Sequence, residues 1–200
     1  MRDATAPVAL GLGTAPEPSV PAPVLGTLFL IGGDIMLFAG LIFAFWVLRL
    51  AAPVWPPPLQ PRLPVGVTAA NTVVLLASSS VMVAATRTLA RGHDGALARR
   101  LGLCGLLGSL FVAVQGYEWA RLIGFGLTVS SGIYGALFYT LVGAHALHVL
   151  AALVWLGITA VRAGRGEFAR GRGDVVRACA LYWHFVVALW PLLYASVYLL

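Results

Sequence analysis

Five ionisable side chains interrupt otherwise uncharged stretches of this sequence: Asp34, Glu118, His145, His148 and His184. Carboxylates and imidazoles in such surroundings can hold a proton, pair with each other or ligate a metal. Spacing narrows the choice. His145 and His148 are three residues apart, so on a helix they share one face. A haem with two histidine ligands needs them on opposite sides of the macrocycle, which this pair cannot supply. A metal site would need further His or Cys ligands at a matching depth, and the sequence places none there. Cys104 and Cys179 have no C-x-x-C spacing and no neighbouring histidine, so they read as small buried apolar groups. There is no nucleophile–base constellation, no phosphate-binding glycine loop and no zinc spacing. No residue is therefore assigned a catalytic or metal-ligating role.

The elements that hold these residues follow from composition. The chain is 60% hydrophobic and 10% charged, with a mean hydropathy of +0.92, whereas a soluble domain is about 25% charged. No aqueous fold could hide so much apolar surface, so the solvent is lipid. Uncharged or nearly uncharged runs lie at 24–48, 65–86, 101–118, 122–161 and 178–200. The fourth is twice the roughly 20 residues that one span needs, and the Ser130-Ser131-Gly132 cluster divides it into a connection and a helix. The reading is an all-α membrane bundle of five transmembrane helices, at about 24–50, 65–90, 98–120, 132–162 and 177–200, forming one domain over 24–200. Residues 1–23 carry charges and five prolines and form a disordered tail with no secretory signal. The six prolines between 53 and 64 make a stiff, non-helical link. Ala77-Ser78-Ser79-Ser80 offers small residues for close helix contact. Trp46, Trp55, Trp119, Trp183 and Tyr182 lie near span ends, where an aromatic belt would sit.

All 13 basic residues are Arg. With a cytoplasmic N-terminus, ten lie in inner segments, and only Arg49, Arg62 and Arg121 lie outside. The positive-inside rule thus selects N-terminus cytoplasmic and C-terminus exported. The charge of +6 is explained by topology, and no nucleic-acid role is invoked.

Depths along the helices, at about 1.5 Å per residue, place Asp34 about 15 Å from the inner face, His148 about 20 Å, His145 about 24 Å, Glu118 about 27 Å and His184 about 9 Å. Asp34 can therefore pair with His148 or His184, and Glu118 with His145. One reading is that these groups satisfy each other and fix helix packing. The other is a role in proton handling or in binding lipid headgroups. Arg87 and Arg177, which flank spans on the inner side, are candidate lipid-phosphate contacts. The lipid is expected between helices 1–2 and helices 3–5.

Several strings occur in order along residues 24–200: Phe29-Leu30-x-x-x-Asp34 with Phe38 and Gly40; Trp55-Pro56-Pro57; Asn71-Thr72 with Leu75, Leu76, Ser78 and Ser79; Gln115-x-Tyr117-Glu118-Trp119; Gly132-Ile-Tyr134-Gly135; Gly143-Ala-His145-Ala-Leu-His148-Val149; and Tyr182-Trp183-His184-Phe185-Val186 with Trp190 and Tyr194. Together they resemble subunit III of the haem–copper respiratory oxidases, in the short bacterial form that lacks the first two of seven helices. The resemblance implies a non-catalytic subunit of a bacterial terminal oxidase in the inner membrane. It would pack with catalytic subunit I and with subunit II. It would bind no haem or copper itself, since those belong to the partners. It would hold phospholipid and support proton uptake and the stability of the enzyme during turnover. Two positions depart from the family pattern. Asp34 stands where cytochrome c oxidase members usually carry Glu, and quinol oxidase members can carry Asp. Val187 stands where the family's Trp-His-Phe-x-Asp motif has its carboxylate. The Trp55-Pro56-Pro57 loop and Asn71-Thr72 favour the cytochrome c type. The alternatives are a quinol oxidase subunit III, a related accessory protein of nitric oxide reductase and, in a different class, a small membrane transporter. A transporter would show repeats and broken helices around a midplane site, and the sequence shows neither.

Overall fold

Proline sets both ends of the first helix. The computed structural model describes residues 20–58, 60–92, 94–168 and 173–199. Helix α1 (Ala22–Ala51) is capped by Pro21 and has a proline in its first turn, where a missing N–H is no loss. It ends at Ala52, which is extended at φ −76°, ψ 131°, because Pro53 disfavours the helical region for the residue before it. The proline-rich link then delivers the chain to α2 (Val65–Ala90), capped by Pro64. Gly92, at φ 72°, takes the left-handed conformation that turns the chain out of α2. Helices α3 (Asp94–Gly124), α4 (Ile133–Gly164) and α5 (Gly173–Tyr194) follow. Pro191 lies inside α5, and residues Ala195–Leu199 wind on as a π-helical segment. All five helices are long and apolar enough to cross a membrane, and no strand occurs among the described residues. The tail expected to be disordered falls, for residues 1–19, outside the described residues; α1 takes in residues 22 and 23.

Helix α5 packs against α1, α2 and α4, while α3 packs between α2 and α4. The most apolar stretch of α5 is 56% buried and that of α1 only 17%, so α5 lies at the centre and α1 at the edge. Helix α2 packs along α3 more extensively than any other pair.

The small residues of α2 explain how α5 fits. The Trp183 indole N–H donates to Ser78 Oγ at 3.2 Å, and the Trp190 indole donates to Thr72 Oγ1 at 2.8 Å. Ser79 Oγ lies 2.6 Å from His184 Nδ1. From Trp183–Ser78 to Trp190–Thr72 residue numbers rise on α5 as they fall on α2, the register of antiparallel neighbours. Ser78 also donates to the Leu75 carbonyl at 2.6 Å, and its own carbonyl accepts the Cys104 thiol at 3.3 Å, which ties in α3. Gly108 of α3 makes room for the indole: a Cβ there would overlap the Trp183 ring and stand 2.9 Å from Leu153.

These bonds correct the aromatic-belt reading at two positions. Trp183 is 1% exposed and Tyr182 5%, so both belong to the core. Their polar tips find partners on α2 and α1, so they need no wet interface. Trp183→Phe should lower the stability of the bundle by about 1 kcal/mol, the scale of one interhelical hydrogen bond in a membrane. Thermal melting of the detergent-solubilised protein reads it; an unchanged midpoint would make the bond energetically idle.

Candidate functional site

Asp34 meets two partners. Tyr182 Oη donates to Asp34 Oδ2 at 3.0 Å, and His148 Nε2 lies 3.4 Å from Asp34 Oδ1. Of the two histidines that depth allowed, α4 supplies the partner and α5 supplies a tyrosine. His148 Nδ1 stands 2.7 Å from the Ala144 carbonyl. A carbonyl only accepts, so Nδ1 carries a hydrogen. Nε2 then has a lone pair when the ring is neutral and a proton when it is charged. A proton shared by this pair could sit on either partner, as Asp–COOH facing neutral imidazole or as carboxylate facing imidazolium. Tyr182 donates to the carboxyl in either form.

The triad is not sealed. The Asp34 and His148 side chains are 10% and 18% exposed. They border a groove of about 340 Å³ between α1 and α4, with Leu30, Leu147, Trp155 and Tyr182 on its walls. A polar group at mid-helix is thus reachable from outside the bundle. This arrangement can store and pass a proton.

The other expected residues fall elsewhere. Glu118 and His145 do not pair. Both are buried, but Arg121 Nη1 reaches Glu118 Oε1 at 3.3 Å from one helical turn on. Arg121 lies at i,i+3 from Glu118 and is its nearest countercharge, besides its place in the outer loop. His145 stacks on Trp190, with centroids 5.1 Å apart and planes 26° apart, and neither ring nitrogen has a hydrogen-bond partner among the described residues. His184 faces Ser79. Arg87 is exposed in the last turn of α2, and Arg177 is exposed near the start of α5, bridged to Asp174 at 3.3 Å. Leu89 lies 3.2 Å from where a Gly173 Cβ would stand, so the end of α2 and the start of α5 share one end of the bundle. Among the described residues, no three His, Cys, Asp or Glu side chains group as metal ligands.

Comparison with known proteins now adds to this geometry. The family profile described as "Cytochrome c oxidase subunit III" matches residues 21–200. "Probable cytochrome c oxidase subunit 3" of Nocardia farcinica (strain IFM 10152) is 34% identical over 176 residues, covering 87% of this chain and 86% of the relative. "Cytochrome c oxidase subunit 3" of Synechocystis sp. is 32% identical, covering 88% and 75%, and that of Oryctolagus cuniculus is 32% identical, covering 86% and 67%. Five helices able to span a membrane, and a profile match that runs from the first of them to the end of the chain, lead to one conclusion: this protein belongs to the cytochrome c oxidase subunit III family, an accessory subunit of terminal oxidases.

Proposed function

We propose that this chain is the non-catalytic subunit III of a bacterial terminal oxidase of the cytochrome c type, placed in the inner membrane with its N-terminus in the cytoplasm. Haem and copper would be held by the catalytic partners, subunits I and II. The Asp34–His148–Tyr182 triad is the observation that carries the reading: a carboxyl and an imidazole placed to share a proton meet at mid-helix, open to the side of the bundle. Its part would be to assist proton uptake by subunit I and to prolong the enzyme's life during turnover.

Phospholipid fits this reading between helix 1 and helices 4 and 5, within the space between helices 1–2 and helices 3–5 that the sequence suggests. Helix α1 rests chiefly on α5 and α4, which leaves grooves along its flanks. One holds the triad, and the other, of about 270 Å³, is lined by Ile35, Phe38, Ile42, Phe185, Leu189 and Leu192. Both have the shape of acyl-chain slots. Arg87, exposed at the end of α2, remains a candidate phosphate contact, as does Arg177.

An affinity tag on this chain should recover a haem–copper subunit from native membranes, while the chain purified alone should show no Soret band. Recovery of the chain without any haem–copper partner would overturn the assignment. Orientation has its own test. Reporter fusions after Arg91 and after Gly164 should read as cytoplasmic, and one after Pro61 as exported. The reverse pattern would invert the proposed topology.

A further inference from the structure

The end of the bundle where α1 stops and α2 starts carries a second polar site, far along α1 from Asp34. A cavity of about 560 Å³ opens there, bordered by Arg49, Trp55, Gln60, Arg62, Val65 and Tyr134, and no acidic residue lines it among the described residues. We propose that this cavity binds the headgroup of a phospholipid in the adjacent leaflet, its phosphate held by Arg49 and Arg62.

The site is built rather than incidental. The Arg49 guanidinium lies over Trp46 at 5.3 Å and over Trp55 at 5.8 Å, and Nη1 donates to the Ser196 carbonyl at 3.4 Å. Those contacts fix the head and leave other N–H groups for an anion. The ends of the link are fixed too. Trp55 packs edge-on against Phe45 and Tyr134, with centroids at 5.8 and 5.0 Å. The Gln60 amide donates to the Ser131 carbonyl at 3.2 Å, across to the α3–α4 connection.

Three features specify the ligand. Two arginines with no carboxylate among the described residues that line the cavity call for a negative charge. Helices α2 and α4 both start here without a side-chain cap, and their positive ends favour an anion. Gln60 Oε1 is buried with no hydrogen-bond partner among the described residues, so it calls for a donor beside the phosphate. A glycerol hydroxyl or an ethanolamine ammonium supplies one. The position supplies the rest: the cavity lies at a helix end, beside tryptophans and next to exposed Val47 and Leu50 on α1, where acyl chains would run. The inference rests on the membrane-spanning reading and not on the oxidase partnership.

The test uses the protein as a tag on this chain recovers it from native membranes, with whatever partners it holds, stripped of lipid in mild detergent and titrated with dioleoyl phosphatidylglycerol under native mass spectrometry. The wild type should bind one lipid more than the Arg49→Gln/Arg62→Gln variant, and either single change should weaken that lipid roughly tenfold or more, the scale of a charge-assisted hydrogen bond. Arg49→Lys should retain part of the affinity. Equal lipid counts in wild type and double variant would overturn the proposal. So would displacement of the lipid by millimolar inorganic phosphate, which would show a site for soluble anions. Loss of a partner subunit with the lipid count unchanged would show instead that the arginines dock an acidic protein surface. Arg62 is exposed, so if the double variant fails to assemble, Arg62→Gln alone decides the matter, and unchanged binding counts against the site. Recovery of a haem–copper partner by the tagged chain is read separately, so failure here leaves the oxidase assignment standing.

Discussion

Replacing Gly108 with leucine should keep the bundle from closing. The Cβ of any side chain at 108 would already overlap the six-membered edge of the Trp183 indole and crowd Leu153. Both neighbours are held. Trp183 is 1% exposed and bonded to Ser78, so its ring cannot swing aside without losing that bond. Overpacking a close-packed interior costs about 1–3 kcal/mol for modest additions and more for larger ones. Gly108→Ala should therefore lower the melting midpoint of the complex, and Gly108→Leu should abolish recovery of the assembled chain. Gly102, on the same helix with nothing near its Cβ, is the control, and Gly102→Ala should be neutral or mildly stabilising, given the helix propensities of the two residues. Trp183→Phe removes the atoms that collide, so combined with Gly108→Ala it should cost less than the two single changes added together. Normal assembly of Gly108→Leu would mean that α3 and α5 do not approach as described.

The helices were legible because lipid leaves so few alternatives. Long uncharged runs must cross it, and backbone groups there must bond within the helix. The division of the 40-residue run at Ser130-Ser131-Gly132 rests on local chemistry: Ser131 Oγ donates to the Thr128 carbonyl at 2.7 Å, and Gly132 takes φ 108°, before α4 starts at Ile133. Depth arithmetic narrowed Asp34 to two histidines and stopped there. It counts distance along a helix and is blind to rotation about the axis. His184 and Tyr182 lie only two residues apart on α5, but that step turns the side chain about 200°. One therefore faces Ser79 and the other Asp34. Tyr182 was passed over because a tyrosine near a span end reads as a belt residue. The Glu118 pairing went astray in the other direction. Arg121 was assigned to the loop that sets topology, but a long side chain at the helix end can reach back to an acid one turn away. Sequence also shows neighbours in the chain and not in space: α1 and α2 are consecutive, yet both take α5 as a neighbour, and α2 turns mainly to α3.

Asp34 offers the sharpest separation of structural from functional roles, because two substitutions divide them. Asp34→Leu removes both acceptor oxygens and leaves the Tyr182 hydroxyl and His148 Nε2 without their partner. An unsatisfied buried polar group costs about 1–3 kcal/mol. In apolar surroundings two such groups should loosen α1 from α4 and α5, and the subunit should be lost from the purified complex. Asp34→Asn keeps the hydrogen bonds. Its amide oxygen accepts from Tyr182, and its NH₂ donates to the Nε2 lone pair of a neutral His148, whose Nδ1 hydrogen already goes to the Ala144 carbonyl. Assembly and melting should be unchanged. What the amide cannot do is take or release the mobile proton. If the triad serves proton uptake, Asp34→Asn should leave the haem spectrum intact while slowing turnover at high pH and hastening inactivation. Tyr182→Phe should follow Asp34→Asn only weakly, since it removes a donor and leaves the proton-sharing pair. If Asp34→Asn turns over and survives like the wild type across the pH range, the triad is a structural clasp alone. If it abolishes oxygen reduction in a fully assembled complex, Asp34 lies on the catalytic proton path itself, and the accessory reading of this chain falls.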